Sequence, residues 1–146
     1  MIALVGGLGL VASYWMPWFS LSDPRGSLSL SGSFLWSFLS STTDLGRVVP
    51  GLSSSPGEVQ LLRFAVVAAP LSGFFVTLLA ASGIQLRFRW PGTALLLIFG
   101  GLPLLCLAVG TQRLPPGARP EIGLWLIGAG GFAALAGALL EWLEAR

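Results

Sequence analysis

Four long apolar stretches constrain this chain more than any other feature. They cover residues 2–19, 62–84, 92–111 and 122–140. A helix needs about 20 mostly apolar residues to cross a hydrocarbon core about 30 Å thick. The only charged residue within these stretches is Arg63, close enough to a helix end for its side chain to reach the membrane surface. We therefore expect an all-α membrane protein, a four-transmembrane-helix bundle that forms one membrane domain over residues 1–146.

The first apolar stretch could also be read as a secretory signal peptide. Such a peptide begins with basic residues and ends with small residues at its cleavage site. Here no basic residue precedes the stretch, and its last residues, from Tyr14 to Phe19, include bulky aromatic rings. We interpret it as a membrane helix that is retained in the mature protein.

The polar composition argues against catalysis and against nucleic-acid binding. The eight basic residues are all Arg and form no basic patch. The chain has no His, and its six acidic residues fall in loops and at predicted helix ends. Enzymes need a nucleophile with a base, paired carboxylates or a metal ion. We therefore expect no enzyme activity, no metal site and no cofactor ligated by side chains, while contact with lipid, quinone or carotenoid stays open.

The single cysteine fits the same interpretation. Cys106 lies within the apolar run Leu102–Leu107. A reactive thiol needs an exposed, electropositive setting, and none is evident around this residue. We expect Cys106 to act as a small hydrophobic side chain.

Small residues are concentrated in the fourth apolar stretch. In lipid, helices associate through faces of small residues that let their backbones approach closely. Small residues separated by three others recur here, and we predict a packing face from Gly130, Ala133 and Gly137. The sequence leaves open whether that face contacts another helix of this chain or another subunit.

Aromatic and basic residues flank the apolar stretches. Trp and Tyr are enriched where a membrane helix meets the lipid headgroups, and basic residues are enriched on the cytoplasmic side. We predict interface anchors at Trp15, Trp18, Arg87, Arg89, Trp90, Trp125 and Trp142.

A long connection, residues 20–61, separates the first two predicted helices. It opens with a turn signal at Asp23–Gly26, and the alternation from Ser27 to Ser31 predicts a half-buried strand. The apolar residues after Gly32 are too few to span a membrane, so they predict a short interfacial helix. Its aromatic side chains could contact a partner or form a lid over the helix ends; these residues are Phe34, Trp36 and Phe38.

The placement of charges bears on orientation. Arg87 and Arg89 form the densest basic cluster without nearby acids, and they lie in a short loop, where basic residues favour the cytoplasm. A chain with four spans has both termini on the side of that loop. We therefore expect cytoplasmic termini and an external long loop, in a bacterial inner (plasma) membrane.

The order of these features resembles that of a known group of proteins. A helix is followed by Met16-Pro17-Trp18-Phe19, by a short strand and by Ser31-Gly32-Ser33-Phe34-Leu35-Trp36, before three more helices. This resembles small uncharacterised bacterial four-helix membrane proteins with a Pro-Trp motif after helix one. The layout is also similar to that of claudin-like tetraspan proteins, although their cysteine pair is absent. The resemblance implies a tetraspan fold and no particular activity.

Two classes of function remain for such a chain, and they fit it unequally. The lack of candidate catalytic residues, the small size and the small-residue helix faces favour a non-catalytic accessory, structural or assembly subunit of a larger membrane complex, such as an energy-converting one. Its expected partners are the lipid bilayer and other membrane protein subunits. The alternative is a homo-oligomeric pore or a small transporter, which would need a polar stripe along a helix.

Overall fold

The computed structural model of the chain describes residues 1–41, 56–82, 89–112 and 117–144. These residues are mostly helical, with one small sheet. In chain order the elements are α1 (Ile2–Ala12), β1 (Pro17–Asp23), β2 (Gly26–Ser31), α2 (Gly32–Ser41), α3 (Pro56–Ser82), α4 (Arg89–Gln112), β3 (Ala118–Pro120) and α5 (Ile122–Glu144). The predicted anchor Arg87 and the end of the long connection, residues 42–55, lie outside the described residues.

Three of these helices are long and apolar enough to cross a membrane. The qualifying segments are Arg63–Ser82 of α3, Gly92–Val109 of α4 and Ile122–Glu144 of α5. They confirm the second, third and fourth predicted helices, and α3 begins before the predicted start at residue 62. These three helices indicate an integral membrane protein.

The first predicted helix is wrong at its end. The expected helix over residues 2–19 stops at Ala12, so α1 has only 11 residues. The Ser13 hydroxyl donates a hydrogen bond to the carbonyl oxygen of Leu10, inside the last turn. Pro17 has no N–H to continue a helical ladder, and β1 begins there. The aromatic residues that prolong the apolar run therefore belong to a turn and a strand.

The short helix α1 lies between α3 and α5, while α4 contacts α3 and α5. Ala3 lies against Gly137, and Leu10 lies against Gly130. Since the lower number on α1 meets the higher number on α5, the two helices run antiparallel. Between α3 and α4, the rings of Phe75 and Phe99 stack with centroids 4.8 Å apart.

The sheet has the strand order β2-β1-β3, and both pairings are antiparallel. The alternating pattern at residues 27–31 correctly predicts β2. Phe19 pairs with Leu30 and Leu21 with Leu28, so these apolar residues share one face. Leu30 is buried and Phe19 packs against the helix core. At Phe19 and Leu30 that face is therefore turned toward the helices, whereas Leu28, near the turn between the strands, is exposed.

The core consists of two apolar clusters. The cluster at the sheet end joins residues of α1, β1, α2, α3 and α5, with Trp18 among its members. The other cluster lies farther from the sheet and joins Ala3, Val76, Leu96, Ala134 and Ala138. The sheet and α2 are thus built onto one end of the helices through the first cluster.

Candidate partner surface at the sheet end

Trp18 is the central residue of the sheet end. A register shift between Pro17 and Phe19 makes Trp18 an extra residue in β1, and such bulges re-aim side chains. Its ring is only 7% exposed and belongs to the core cluster, on which Phe19 also packs. The indole Nε1 donates a hydrogen bond of 2.7 Å to the carbonyl oxygen of Ser13. Trp18 is therefore a core residue, and its prediction as a lipid-interface anchor is wrong because the ring is buried.

Two glycines make room for the Trp18 ring. A Cβ added at Gly32 would lie 2.9 Å from Cζ2 of the ring, and one at Gly123 would lie 2.6 Å from Cδ1. Real Cβ atoms do not approach other atoms that closely, so a side chain at either glycine requires the ring to move. These glycines bring the first residues of α2 and of α5 against opposite parts of one indole.

Hydrogen bonds then tie β1 and the preceding turn to α2 and α5. The amide of Ser33 donates to the carbonyl oxygen of Tyr14 at 3.0 Å, and the amide of Glu121 donates to that of Trp18 at 2.8 Å. The Ser20 hydroxyl donates to Oε1 of Glu121 at 2.8 Å. These bonds pair polar groups that would otherwise face an apolar environment without a partner.

The short helix α2 packs one side against the bundle. Leu39 is 3% exposed, and Leu35 and Phe38 pack against the sheet-end cluster. Arg63 of α3 donates through Nε to the carbonyl oxygen of Leu39 at 2.7 Å. A basic group at the C-terminal end of a helix satisfies a carbonyl that has no partner in the helix. This confirms the predicted short helix after Gly32, one side of which packs on the bundle.

Two large aromatic rings of α2 stay exposed. Phe34 is 48% exposed and Trp36 is 39% exposed. Phe34 stacks on Phe38, with ring centroids 6.4 Å apart and an interplanar angle of 10°. The three aromatic residues singled out in the sequence therefore differ in burial. Phe38 packs on the core, whereas Phe34 and Trp36 are exposed. Because they are two residues apart on a helix, Phe34 and Trp36 point in directions about 200° apart and lie on opposite flanks of the packed side of α2. We call them the exposed aromatic pair of α2.

The remaining predicted anchors differ in exposure. Trp15 is 65% exposed and Trp125 is 71% exposed, as a lipid-interface anchor requires. Trp142 is partly exposed near the other end of α5. The side chains of Arg89 and Trp90, like all of Arg87, lie outside the described residues.

The predicted small-residue face of α5 contacts α1 of the same chain. A Cβ added at Gly130 would lie 2.8 Å from the carbonyl oxygen of Gly6, and one at Gly137 would lie 2.8 Å from Cβ of Ala3. Ala133 belongs to the same contact, since its Cβ faces Gly6 at 3.0 Å from an added Cβ. The sequence left open whether this face contacts another helix of the chain or another subunit. At these residues the contact is with α1 of the same chain.

Sequence reasoning missed the matching contact between α1 and α3. A Cβ added at Gly73 would lie 2.6 Å from the carbonyl oxygen of Gly7, and Thr77 contacts Gly7 as well. Gly73 and Thr77 are separated by three residues, which is the spacing of small-residue helix contacts. That spacing was the available signal.

Among the described residues, the helices contain few reactive or metal-binding side chains. Within those ranges, no three or more His, Cys, Asp or Glu residues come close enough together to hold a metal ion. Cys106 is half-buried in α4. The Ser72 hydroxyl is buried, with no hydrogen-bond partner in the described part of the chain. The expected absence of enzyme activity and of ligated cofactors stays a prediction.

Comparisons with protein-family models, with curated proteins and with solved structures gave no match to this chain. The resemblance to small bacterial four-helix membrane proteins therefore stays an expectation.

Proposed function

We propose that this chain is a non-catalytic accessory or assembly subunit of a larger membrane protein complex. In this proposal the exposed aromatic pair of α2 contacts a neighbouring integral membrane protein. The observation that carries it is that α2 packs Leu35, Phe38 and Leu39 on the bundle, while Phe34 and Trp36 on either flank of that packed side stay exposed. Large exposed aromatic residues beside well-packed ones are typical of contact sites.

The attachment of α2 supports a preformed surface. Its first turn is held through Ser33 to Tyr14, and its last turn is held through Arg63 to Leu39. A helix fixed at both ends loses little conformational freedom when a partner binds, which favours affinity. The partner surface that fits it is apolar and aromatic and lies at the end of the partner's membrane helices.

The packing of α1, α3 and α5 favours this function over a pore. Their backbones approach so closely at Gly6, Gly73 and Gly130 that even a Cβ would collide there. A water-filled path needs space and a polar lining, whereas these contacts are filled by backbone and apolar side chains. A pore would therefore have to form between copies of the chain.

The proposed location is a bacterial inner membrane with both termini in the cytoplasm. This orientation follows the basic cluster at Arg87 and Arg89. It places the sheet and α2 on the outer side, with a fourth membrane crossing made by α1 and the turn after it. The proposed partner surface is then reached from outside the cytoplasm.

Co-purification tests the proposal. The tagged chain is extracted from its native membrane in mild detergent, and accompanying proteins are identified by mass spectrometry. We expect another membrane protein in a stoichiometric amount. The variant Phe34→Ala/Trp36→Ala should retain about thirtyfold less of it, since truncated hot-spot residues cost about 2 kcal/mol or more.

Two controls separate contact from folding. Trp125→Ala removes an exposed Trp on α5 and should keep the partner. Membrane insertion and yield of Phe34→Ala/Trp36→Ala should match the unaltered chain. If that variant keeps its partner, α2 is not the contact surface. If the unaltered chain emerges alone, or only with copies of itself, the accessory function fails and ion flux in liposomes becomes the next measurement.

A further inference from the structure

The two outer edges of the sheet are built differently. The edge strand β3 has three residues, and two of them are Arg119 and Pro120. Short length, charge and proline are the features with which proteins protect a sheet edge from pairing with another chain. The edge strand β2 has six residues, Gly26–Ser31, and none of them is charged or a proline. The bulge of the sheet lies in β1 at Trp18 and not in β2.

The β2 strand is also accessible. Ser27, Leu28 and Ser29 are exposed, and Leu28 keeps 55% of its surface in contact with solvent. Among the described residues no further strand pairs with the outer edge of β2. An edge strand of this kind presents alternate backbone N–H and C=O groups that a second strand can bind.

The sequence of β2 is complementary to itself. From Ser27 to Ser31 it reads Ser-Leu-Ser-Leu-Ser, which is identical in both directions. If two copies pair antiparallel about Ser29, Leu28 lies opposite Leu30 of the second copy. Ser27 then lies opposite Ser31 of the second copy. Directly opposed residues share a face of the sheet, so leucines meet leucines and serines meet serines.

We propose that β2 is a self-association strand through which two copies of this chain pair antiparallel. The pairing joins two three-stranded sheets into one, with the leucines on one face and the serines on the other. No like charges oppose each other along Gly26–Ser31. This inference goes beyond the accessory function and stands independently of it, because it uses neither Phe34 nor Trp36.

Cysteine cross-linking in the native membrane tests the pairing. With Cys106→Ala as the background, Ser29→Cys is treated with a short bismaleimide. We expect a covalent dimer of this chain, since the two residues would lie about one strand spacing, roughly 5 Å, apart. Ser22→Cys is the matched control, because Ser22 is also exposed but lies on β1. Its two copies would be about three strand spacings apart across the sheet and four residues apart along it, roughly 19 Å in all, and should cross-link at least about tenfold less.

A charge variant gives a second, independent readout. Ser29→Lys would place two ammonium groups opposite each other and should lower the dimer fraction about fivefold in detergent. Ser22→Lys should leave that fraction unchanged. The proposal is overturned if Ser29→Cys and Ser22→Cys cross-link equally, or if Ser29→Cys links only to a different protein. An unchanged dimer fraction in Ser29→Lys would overturn it as well.

Discussion

The helix interior and the sheet end of this molecule hold together by opposite means. Between α1 and its neighbours, contact is made by the smallest residues, and a Cβ at Gly6 would lie 2.7 Å from the carbonyl oxygen of Gly130. At the sheet end, contact is made by the largest side chain, since Trp18 fills the space between β1, α2 and α5. One region depends on missing side chains and the other on a single ring.

The difference follows from what surrounds each region. Lipid is as apolar as the helices, so association there relies on close backbone approach and dispersion contacts. The sheet end contains turns and strands, whose backbone polar groups need partners. There Trp18 combines apolar area with a donor for the carbonyl of Ser13. Close backbone contact at glycines and packing around one large ring thus occur within a few residues of each other in this chain.

The most damaging change to the sheet end should be Trp18→Ala. Loss of the ring leaves a cavity among α2, α5 and β1, and such truncations cost about 3–5 kcal/mol. Equilibrium unfolding by SDS in detergent micelles measures this loss. Trp18→Phe should cost less stability than Trp18→Ala, because it keeps an aromatic ring in the core. It still loses the hydrogen bond to the carbonyl oxygen of Ser13. Trp125→Ala, which truncates an exposed Trp, should leave stability nearly unchanged. Equal losses in Trp18→Ala and Trp125→Ala would contradict the central role of Trp18.

The helix interior should lose stability through the opposite kind of substitution, one that adds atoms. Gly6→Ala puts a methyl group against the backbone of α5 and should destabilise the fold by about 1–3 kcal/mol. Gly9→Ala is the matched control on the same helix, because its Cβ would find Gly130 Cα at an ordinary 3.9 Å. The same SDS unfolding experiment compares the two. If Gly9→Ala is as harmful as Gly6→Ala, the close contact at Gly6 is not the cause, since Ala has the higher helix propensity at both positions.

A smaller effect should distinguish the two ends of α2. Arg63→Met keeps the aliphatic length of the side chain but loses the hydrogen bond to Leu39, at a cost of about 1 kcal/mol. Because the bond holds only the last turn of α2, amide hydrogen exchange there should accelerate about fivefold. Exchange in α5 should not change. Arg119→Met removes an exposed Arg from β3 and serves as the control. Uniform acceleration throughout the chain would mean that Arg63 stabilises the whole fold.

Much of the fold follows from patterns that are local in sequence. Three helices are evident because they are long and apolar, and β2 is evident because Ser and Leu alternate from Ser27 to Ser31. The short helix α2 is predicted from an apolar run too brief to span a membrane. Each of these patterns encodes its own structure without reference to the rest of the chain.

Other features depend on contacts between distant residues. Apolar character continues from α1 through Trp18 and Phe19, so composition alone does not separate the helix from β1. Pro17 was the local signal for the change. The strand β3 has only three residues and exists because it pairs with Phe19–Leu21 of β1. The exposure of Trp18 was mispredicted for the same reason, since its burial is produced by Gly32 and Gly123, far along the chain.

For the proposed contact site, the sequence indicated three aromatic residues but not how they are arranged. Phe34, Trp36 and Phe38 were singled out together because they share a short apolar run. Which of them face the core depends on how α2 lies against α3, and Arg63 takes part in setting that. Composition can indicate that an aromatic cluster needs covering, whereas only packing shows which part of it is covered.

The brevity of α1 has a consequence for the surrounding bilayer. Eleven helical residues rise about 17 Å, whereas the 20-residue span of α3 rises about 30 Å. In the proposed four-span arrangement, the exposed Ile2, Val5 and Leu8 of α1 present the lipid tails with a shortened apolar surface on this flank. Such hydrophobic mismatch is relieved by local thinning of the bilayer or by oligomerisation. We therefore expect the protein to associate more strongly in thick membranes than in thin ones, with this flank as the reason.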